Sequence, residues 1–295
     1  MKRYRILKED FDTRANVLNL EIEDQWEDQI KEQWRNAKEK IKRGLLLQYG
    51  FEDADAKLRD FVDLGPKPVS VVSYHNRFAE QARRAFVIGA YYPALTGACA
   101  LGERMLNHLV LGLREDFRGT LEYKKVYKKK SFDNWDLAIG TLEAWGVLVP
   151  KAAEAFKTLR DVRNQRAIHF DPSTDTKDRQ YALDAVRSLN EIVAEQFGTL
   201  PPAPWFIPGV NGGVGFIKKE MEGEPFVKLV YLPNAFPVGP EHYLEGNTDG
   251  SWQVFDRDDY EDREIPDADF VALYDKATKA RLAEMREVEE SPNGE

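Results

Sequence analysis

The spacing of apolar positions changes once along this chain, and the change divides it. Up to about residue 198 they recur at three and four, the period of helices that bury one face. Beyond Pro204 the period falls to two between glycine-rich turns, the pattern of strands. Residues 21–48 predict one long helix with the stripe Trp26, Ile30, Trp34, Ala37, Ile41 and Leu45. Packing on a bundle is its expected role, and partner binding the alternative. A short helix over about 53–64 and a loop at Gly65-Pro-Lys-Pro follow. Five helices then succeed one another, the first from about His75 to Tyr91 and the second from Pro93 to about Arg114. The third is capped by Ser131-Phe-Asp-Asn-Trp, the fourth starts at Pro150, and the fifth follows the cap residues Asp171-Pro-Ser-Thr-Asp and runs towards Gly198. The second has a core face of Leu95, Ala98, Met105, Leu106, Leu109 and Leu113, and a separate polar stripe of Thr96, Glu103, Asn107 and Arg114.

In the last third, Val214–Lys218, Pro225–Leu232 and Ser251–Phe255 read as strands, and Asn211-Gly-Gly and Asn247-Thr-Asp-Gly as turns. A closing amphipathic helix spans about 268–287. The expected class is therefore mainly α: an N-terminal helical extension over 1–67, a helical bundle over 68–199, and a small acidic α+β module over 205–295. The Pro-rich segment Thr199-Leu-Pro-Pro-Ala-Pro marks the boundary.

Charge sharpens this division. The 295 residues carry a net charge of −9, but residues 201–295 hold 9 Lys and Arg against 20 Asp and Glu, whereas the first 200 hold 33 against 31. A nucleic-acid partner would need a local basic patch on the first part, because the molecule as a whole repels phosphate. Tyr123-Lys-Lys-Val-Tyr-Lys-Lys-Lys supplies one candidate, with Lys124, Lys125, Lys128, Lys129 and Lys130 interleaved with two stackable rings. An ordinary solvated lysine run is the alternative. A single cysteine, Cys99, fits a reducing cytoplasm and reads as a small core residue. The start of the chain has no signal-peptide core, and the longest uncharged run, Ala85–Gly102, is interrupted by Pro93 and three glycines. A cytoplasmic protein with no membrane partner is expected.

The four histidines, His75, His108, His169 and His242, lack metal-ligand spacing, so neither a metal nor a cofactor is expected. Gly212-Gly-Val-Gly precedes a predicted strand rather than the helix of a phosphate loop. The acidic run Asp256-Arg-Asp-Asp-Tyr-Glu-Asp lacks the central glycine of a calcium loop and reads as a solvated linker.

The concentrated chemistry lies at Arg160–Asp171, R-D-V-R-N-Q-R-A-I-H-F-D. Continued as an α-helix to about Phe170, this stretch would set Arg163, Arg166 and His169 three apart, close enough for their side chains to meet. An imidazole that titrates near neutrality moves protons, and a forked guanidinium holds a phosphate and its transition-state charge. Together they suit cleavage of RNA through its own 2′-hydroxyl. The competing interpretation is that Arg163 and Arg166 cap the last carbonyls of a helix, with His169 at the boundary.

Arg163-Asn-Gln-Arg-Ala-Ile-His169 resembles the Arg-Asn-x4-His signature of the HEPN domain family, and the helical pattern from Pro68 to Gly198 resembles the domain that carries it. The resemblance implies a HEPN-like helical bundle, commonly homodimeric, and a metal-independent ribonuclease of toxin–antitoxin or antiphage type. By position it implies a catalytic pair of Arg163 and His169, with Asn164, Arg166 and Glu103 in support. Glu103 reads equally as part of a solvated helix face. One subfamily carries a modified Tyr two residues after the His; Asp171 stands there in this chain. RNA is the partner implied, with an antitoxin or defence-complex protein as a further partner. The alternative function is a non-catalytic RNA-binding or assembly subunit. A ribonuclease requires Arg163 and His169 accessible in one cleft, whereas a scaffold would pair them with carboxylates. The acidic module would then mask the lysine track or bind a partner.

Overall fold

The computed structural model describes residues 1–168, 174–200, 203–248 and 252–290. In chain order the elements begin with strands β1 (Arg3–Ile6) and β2 (Glu9–Asp12), then helices α1 (Arg14–Asn19), α2 (Asp28–Tyr49) and α3 (Ala54–Leu64) and strand β3 (Lys67–Val71). Helices α4 (Asn76–Val87), α5 (Tyr91–Leu113), α6 (Leu121–Val126), α7 (Trp135–Ala144), α8 (Pro150–Val162) and α9 (Thr174–Phe197) follow. The chain closes with α10 (Pro225–Val230), strands β4 (Ala235–Val238), β5 (Tyr243–Gly246) and β6 (Trp252–Phe255), and α11 (Asp267–Glu290). The fold is mainly helical, with a small sheet module towards the C-terminus.

The chain forms two compact units, Glu9–Gly198 and Met1–Lys8 with Thr199–Glu295. The first is organised around α5, which packs against α4, α7, α8 and α9. Its buried residues, from Ala94 and Leu95 to Val110 and Leu113, cover about half of its circumference, and the other half carries Thr96, Ala100, Glu103, Arg104 and Asn107. Two polar groups fix its surroundings. Asp60 of α3, only 1% exposed, accepts from Tyr91 Oη at 2.7 Å and from Arg179 of α9 at 2.8 Å, which ties three helices to one carboxylate. Lys67 of β3, almost as buried, lies 2.6 Å from Asp10 and 3.5 Å from Glu80.

Several sequence expectations are corrected within this unit. The stretch Gly65-Pro-Lys-Pro, expected as a loop, already enters β3 at Lys67, and β3 pairs antiparallel with β2, with a bulge between Asp10 and Asp12. Pro68 is tolerated because a two-stranded ribbon leaves edge positions without a ladder bond. Within the expected cap stretch Ser131–Trp135 it is Asn134 that caps the third bundle helix, its Oδ1 accepting from Leu137 N at 3.0 Å. The long helix α2 packs against α1 and α3 and buries only Leu45 of its stripe, leaving Ile30 40% exposed.

The expected N-terminal extension is divided between the units, because β1 pairs antiparallel with β4, Arg3 opposite Val238 and Ile6 opposite Ala235. Arg3 is buried. Its guanidinium meets Glu264 at 2.7 Å and Asp267 at 2.6 Å and lies over the Phe270 ring. In the same unit β5 and β6 form an antiparallel hairpin, and Ile207, Phe216, Val238, Phe270 and Tyr274 make a core. Pro225–Leu232, expected as a strand, contains helix α10: Pro225 occupies the first turn, and Phe226, Val227 and Val230 are buried at helical spacing. Val214–Lys218 contributes isolated bridges at Phe216 and Ile217 rather than a named strand. The turn expected at Asn247-Thr-Asp-Gly lies partly outside the described residues. His242 donates from Nδ1 to Gly239 O at 2.6 Å, leaving Nε2 to accept from Arg5 at 2.6 Å, and burial with Arg5 pushes its pKa down to about 4.

His75 is fully buried beside the Tyr74 and Phe197 rings, and neither ring nitrogen has a hydrogen-bond partner among the described residues. Burial lowers its pKa from 6.5 to about 3. The unfolded chain therefore binds this proton first, so the stability contributed by neutral His75 is complete above pH 6.5 and is lost as pH falls towards 3. His75→Phe removes this dependence. Unfolding free energy followed by denaturant titration from neutral to acid pH should fall less steeply in the variant; identical slopes would refute the assignment.

Candidate active site

Helix α8 does not continue as an α-helix to Phe170. From Arg163 to Ile168 the backbone is π-helical, with bonds to the fifth residue instead of the fourth. The wider turn breaks the three-residue alignment expected of Arg163 and Arg166. Arg163 faces α5 and α7, while Arg166 lies over the Tyr181 ring of α9 at 4.6 Å. The two guanidiniums thus have different partners. His169 and Asp171 lie outside the described residues.

Arg163 lines a cleft of about 480 Å³ together with Cys99, Glu103 and Asn107 of α5, Ser131, and Ala167 of the π turn. Its Nη2 is 2.8 Å from Glu103 Oε2, and its Nη1 donates to Asn164 Oδ1 at 2.9 Å. The guanidinium also lies 5.8 Å from the centre of the Trp135 ring. Trp135 in turn donates from Nε1 to the same Glu103 oxygen at 3.0 Å. Glu103 is therefore engaged, not a freely solvated carboxylate, and it fixes the guanidinium and the indole together.

The local packing explains this arrangement. A Cβ on Gly102 would lie 2.6 Å from Trp135 and 2.7 Å from Leu159. Only glycine lets the indole of α7 settle against α5 one residue before Glu103. Asn107, one turn further along α5, holds the segment before α7: Nδ2 donates to Phe132 O at 2.8 Å and Oδ1 accepts from Phe132 N at 2.7 Å. That clamp sets Ser131 on the cleft wall. Tyr92 Oη reaches Ala167 O at 3.3 Å from the other end of α5. Cys99 lines the cleft but is buried, and burial raises its thiol pKa to about 12 against the opposing pull of Arg163. It is not an activated nucleophile.

The five lysines of the expected RNA track are all exposed, on α6 and the turn after it. Tyr123 and Tyr127 stack at 5.6 Å, Lys128 lies over Tyr127, and Lys125 is 3.9 Å from Glu122. Arg114 donates to Lys129 O at 2.8 Å. The track thus runs through backbone held by Arg114 to Ser131 at the cleft. The sequence reading missed Trp135 and Asn107 as site residues. For Asn107 the α5 polar stripe was the available signal, because polar positions at helical spacing on an otherwise apolar helix mark a face with partners of its own; for Trp135 there was none.

Among the described residues no group of three or more His, Cys, Asp or Glu side chains is placed to hold a metal ion, and no helix is long and apolar enough to cross a membrane. No family model, curated protein or solved structure matches the chain.

Two measurements test the site's construction. Gly102→Ala gains about 1 kcal/mol in helix propensity but meets a packed indole, so overpacking of about 1–3 kcal/mol decides the sign. Thermal denaturation should show net destabilisation with a shift in tryptophan emission; a stabilised variant would exclude the close approach. A double-mutant cycle of Glu103→Gln and Arg163→Gln should yield a coupling of about 1 kcal/mol, as for a half-buried ion pair. Additive effects would dissolve the pair.

Proposed function

We propose that this chain is a metal-independent endoribonuclease of HEPN type, of the toxin or antiphage-defence class. The observation that carries the reading is Arg163, a guanidinium fixed on the wall of a cleft by Glu103, Asn164 and the Trp135 ring, six residues before His169. Glu103 and Asn164 engage one terminal nitrogen each, leaving further N–H donors of the fork for a phosphate. In the reaction the RNA 2′-oxygen attacks the adjacent phosphorus and loses its proton to a base. The new 2′-O–P bond forms as the P–O5′ bond breaks, and the departing 5′-oxygen gains a proton. His169 supplies one or both proton transfers, Arg163 holds the charge on the phosphoryl oxygens, and Asn164 orients the guanidinium. The products carry a 2′,3′-cyclic phosphate and a 5′-hydroxyl. The exposed lysines 124, 125, 128, 129 and 130 serve as an approach track for RNA. A homodimer that juxtaposes two motifs completes the reading, and an antitoxin or defence-complex protein is its regulator.

A second reading has its own observation. Arg163 is already paired with a carboxylate, as a structural arginine would be. On that footing the chain is a non-catalytic RNA-binding or assembly subunit of a defence complex.

Cleavage of a mixed RNA pool in excess EDTA separates the two. Wild type should cut the pool and leave 2′,3′-cyclic phosphate ends. Folded Arg163→Ala and His169→Ala should each lose about 100-fold or more. If wild type is as inactive as both variants, the nuclease reading falls and the assembly reading stands.

A further inference from the structure

The cleft that holds Arg163 adjoins a second one. A groove of about 500 Å³ lies between α4 and α5, and the two share Ala100 and Arg104. From α4 its wall presents Phe78 and Gln81, with Ala82 and Ala85 on the same helical face. From α5 it presents Pro93, Gly97, Ala100 and Leu101, and at Gly97 the two helices are so close that an added Cβ would touch the Ala82 methyl at 3.8 Å. The lining is apolar except at two side chains, Gln81 and Arg104.

Arg104 differs from Arg163. Among the described residues it has no carboxylate within ion-pairing distance, and its guanidinium lies 5.1 Å from the centre of the Phe78 ring, itself 38% exposed. A guanidinium resting on an aromatic face keeps its N–H edges for an anion, and the pair offers a flat surface to a planar ring. A cation without a carboxylate at the junction of two clefts, a stacking surface and an amide that can both donate and accept together match a nucleotide: phosphate, base plane and base edge. A protein segment would use the apolar walls but would not call for an anion site at the junction, and a duplex keeps its bases stacked inside.

We propose that the α4–α5 groove is a base-binding subsite for single-stranded RNA. The base of a nucleotide beside the scissile linkage stacks against Phe78 and the Arg104 plane, Arg104 takes its phosphate, and Gln81 meets the base edge. The location rests on the reading of the adjoining cleft as the place where RNA is cut, whereas the binding itself does not require cleavage.

The test uses the full-length chain and a short, fluorescently labelled, mixed-sequence 2′-O-methyl RNA, which cannot be cut through its 2′-oxygen. Binding is read by anisotropy over a range of salt. Phe78→Ala should weaken binding about tenfold or more, in line with the loss of one stacked base. Arg104→Gln should reduce the slope of log affinity against log salt by about 0.7, the share of one phosphate contact on a single strand. Arg77→Gln, an equal charge change at an exposed α4 residue that lines neither cleft, should change the slope less. Gly97→Leu brings bulk into the groove from the opposite wall and should reproduce the Phe78 loss, with an unchanged thermal unfolding midpoint separating a blocked site from a damaged helix. No binding by wild type, binding by Phe78→Ala and Gly97→Leu equal to wild type, or equal effects of Arg104→Gln and Arg77→Gln would each overturn the subsite. Binding that depends on Phe78 and Arg104 without any cleavage of natural RNA would keep the subsite and sink the nuclease. Arg163-dependent cleavage with binding indifferent to Phe78 would do the reverse.

Discussion

The candidate site depends on one close approach, the Trp135 indole of α7 against Gly102 of α5. Because the ring takes the space of the missing side chain, its Nε1 comes within hydrogen-bond reach of Glu103, the next residue along α5. Glu103 can then hold Arg163 with the same oxygen, so a carboxylate and an indole fix the guanidinium's position. Removing either would leave a half-buried polar group without its partner, a larger loss than the net worth of the contact itself. The packing of two helices thereby sets the electrostatics of the cleft. The π turn completes the arrangement, since a helix that kept its α-helical bonds past Val162 would send the following residues along a different path.

Each compact unit also contains a buried charge held from several directions. In the helical unit it is Asp60, held by Tyr91 and Arg179; in the other it is Arg3, held by Glu264 and Asp267. Such groups cost desolvation, and net stabilisation is not their clearest effect. Their consequence is registry. Asp60 is satisfied only when α3, α5 and α9 meet in one alignment, and Arg3 only when the first strand meets the start of α11. This explains why eight residues at the beginning of the chain fold with a module encoded two hundred residues later.

What the sequence could disclose follows from the range of the interactions. The α5 core face and polar stripe were legible because both are written in a period of three to four over more than twenty residues, and the helices between Asn76 and Phe197 follow from the same signal. The π turn was not legible: over six residues an i+4 and an i+5 pattern cannot be told apart, and Arg163–Ile168 contains no Pro or Gly to betray a change. Pro225–Leu232 misled because Phe, Val and Leu suit a buried strand and a short buried helix alike, and Pro225 at the first turn was the overlooked sign. The pairing of β1 with β4 is non-local, and no local pattern encodes it. In the site, Arg163 could be named from residue type and spacing, and Glu103 from the family resemblance. Trp135 could not, because its role comes from a glycine on another helix.

The cleft's two arginines carry the same formal charge but stand in different electrostatic settings. Arg163 is neutralised at 2.8 Å by Glu103, so a phosphate that reaches it must share the guanidinium with a carboxylate that repels the newcomer. That is a poor arrangement for capturing RNA from solution, but it suits holding one group in a fixed orientation. Arg104 has no such competitor among the described residues and lies where the two clefts meet. On the proposed reading, capture and orientation would be separate tasks: Arg104 would attract RNA, while Glu103, its neighbour on α5, restrains Arg163. In an acidic protein this division has a physical basis. The net charge opposes long-range attraction of RNA, so on that reading affinity would have to come from a few local cations left without carboxylates and from stacking, which salt does not screen.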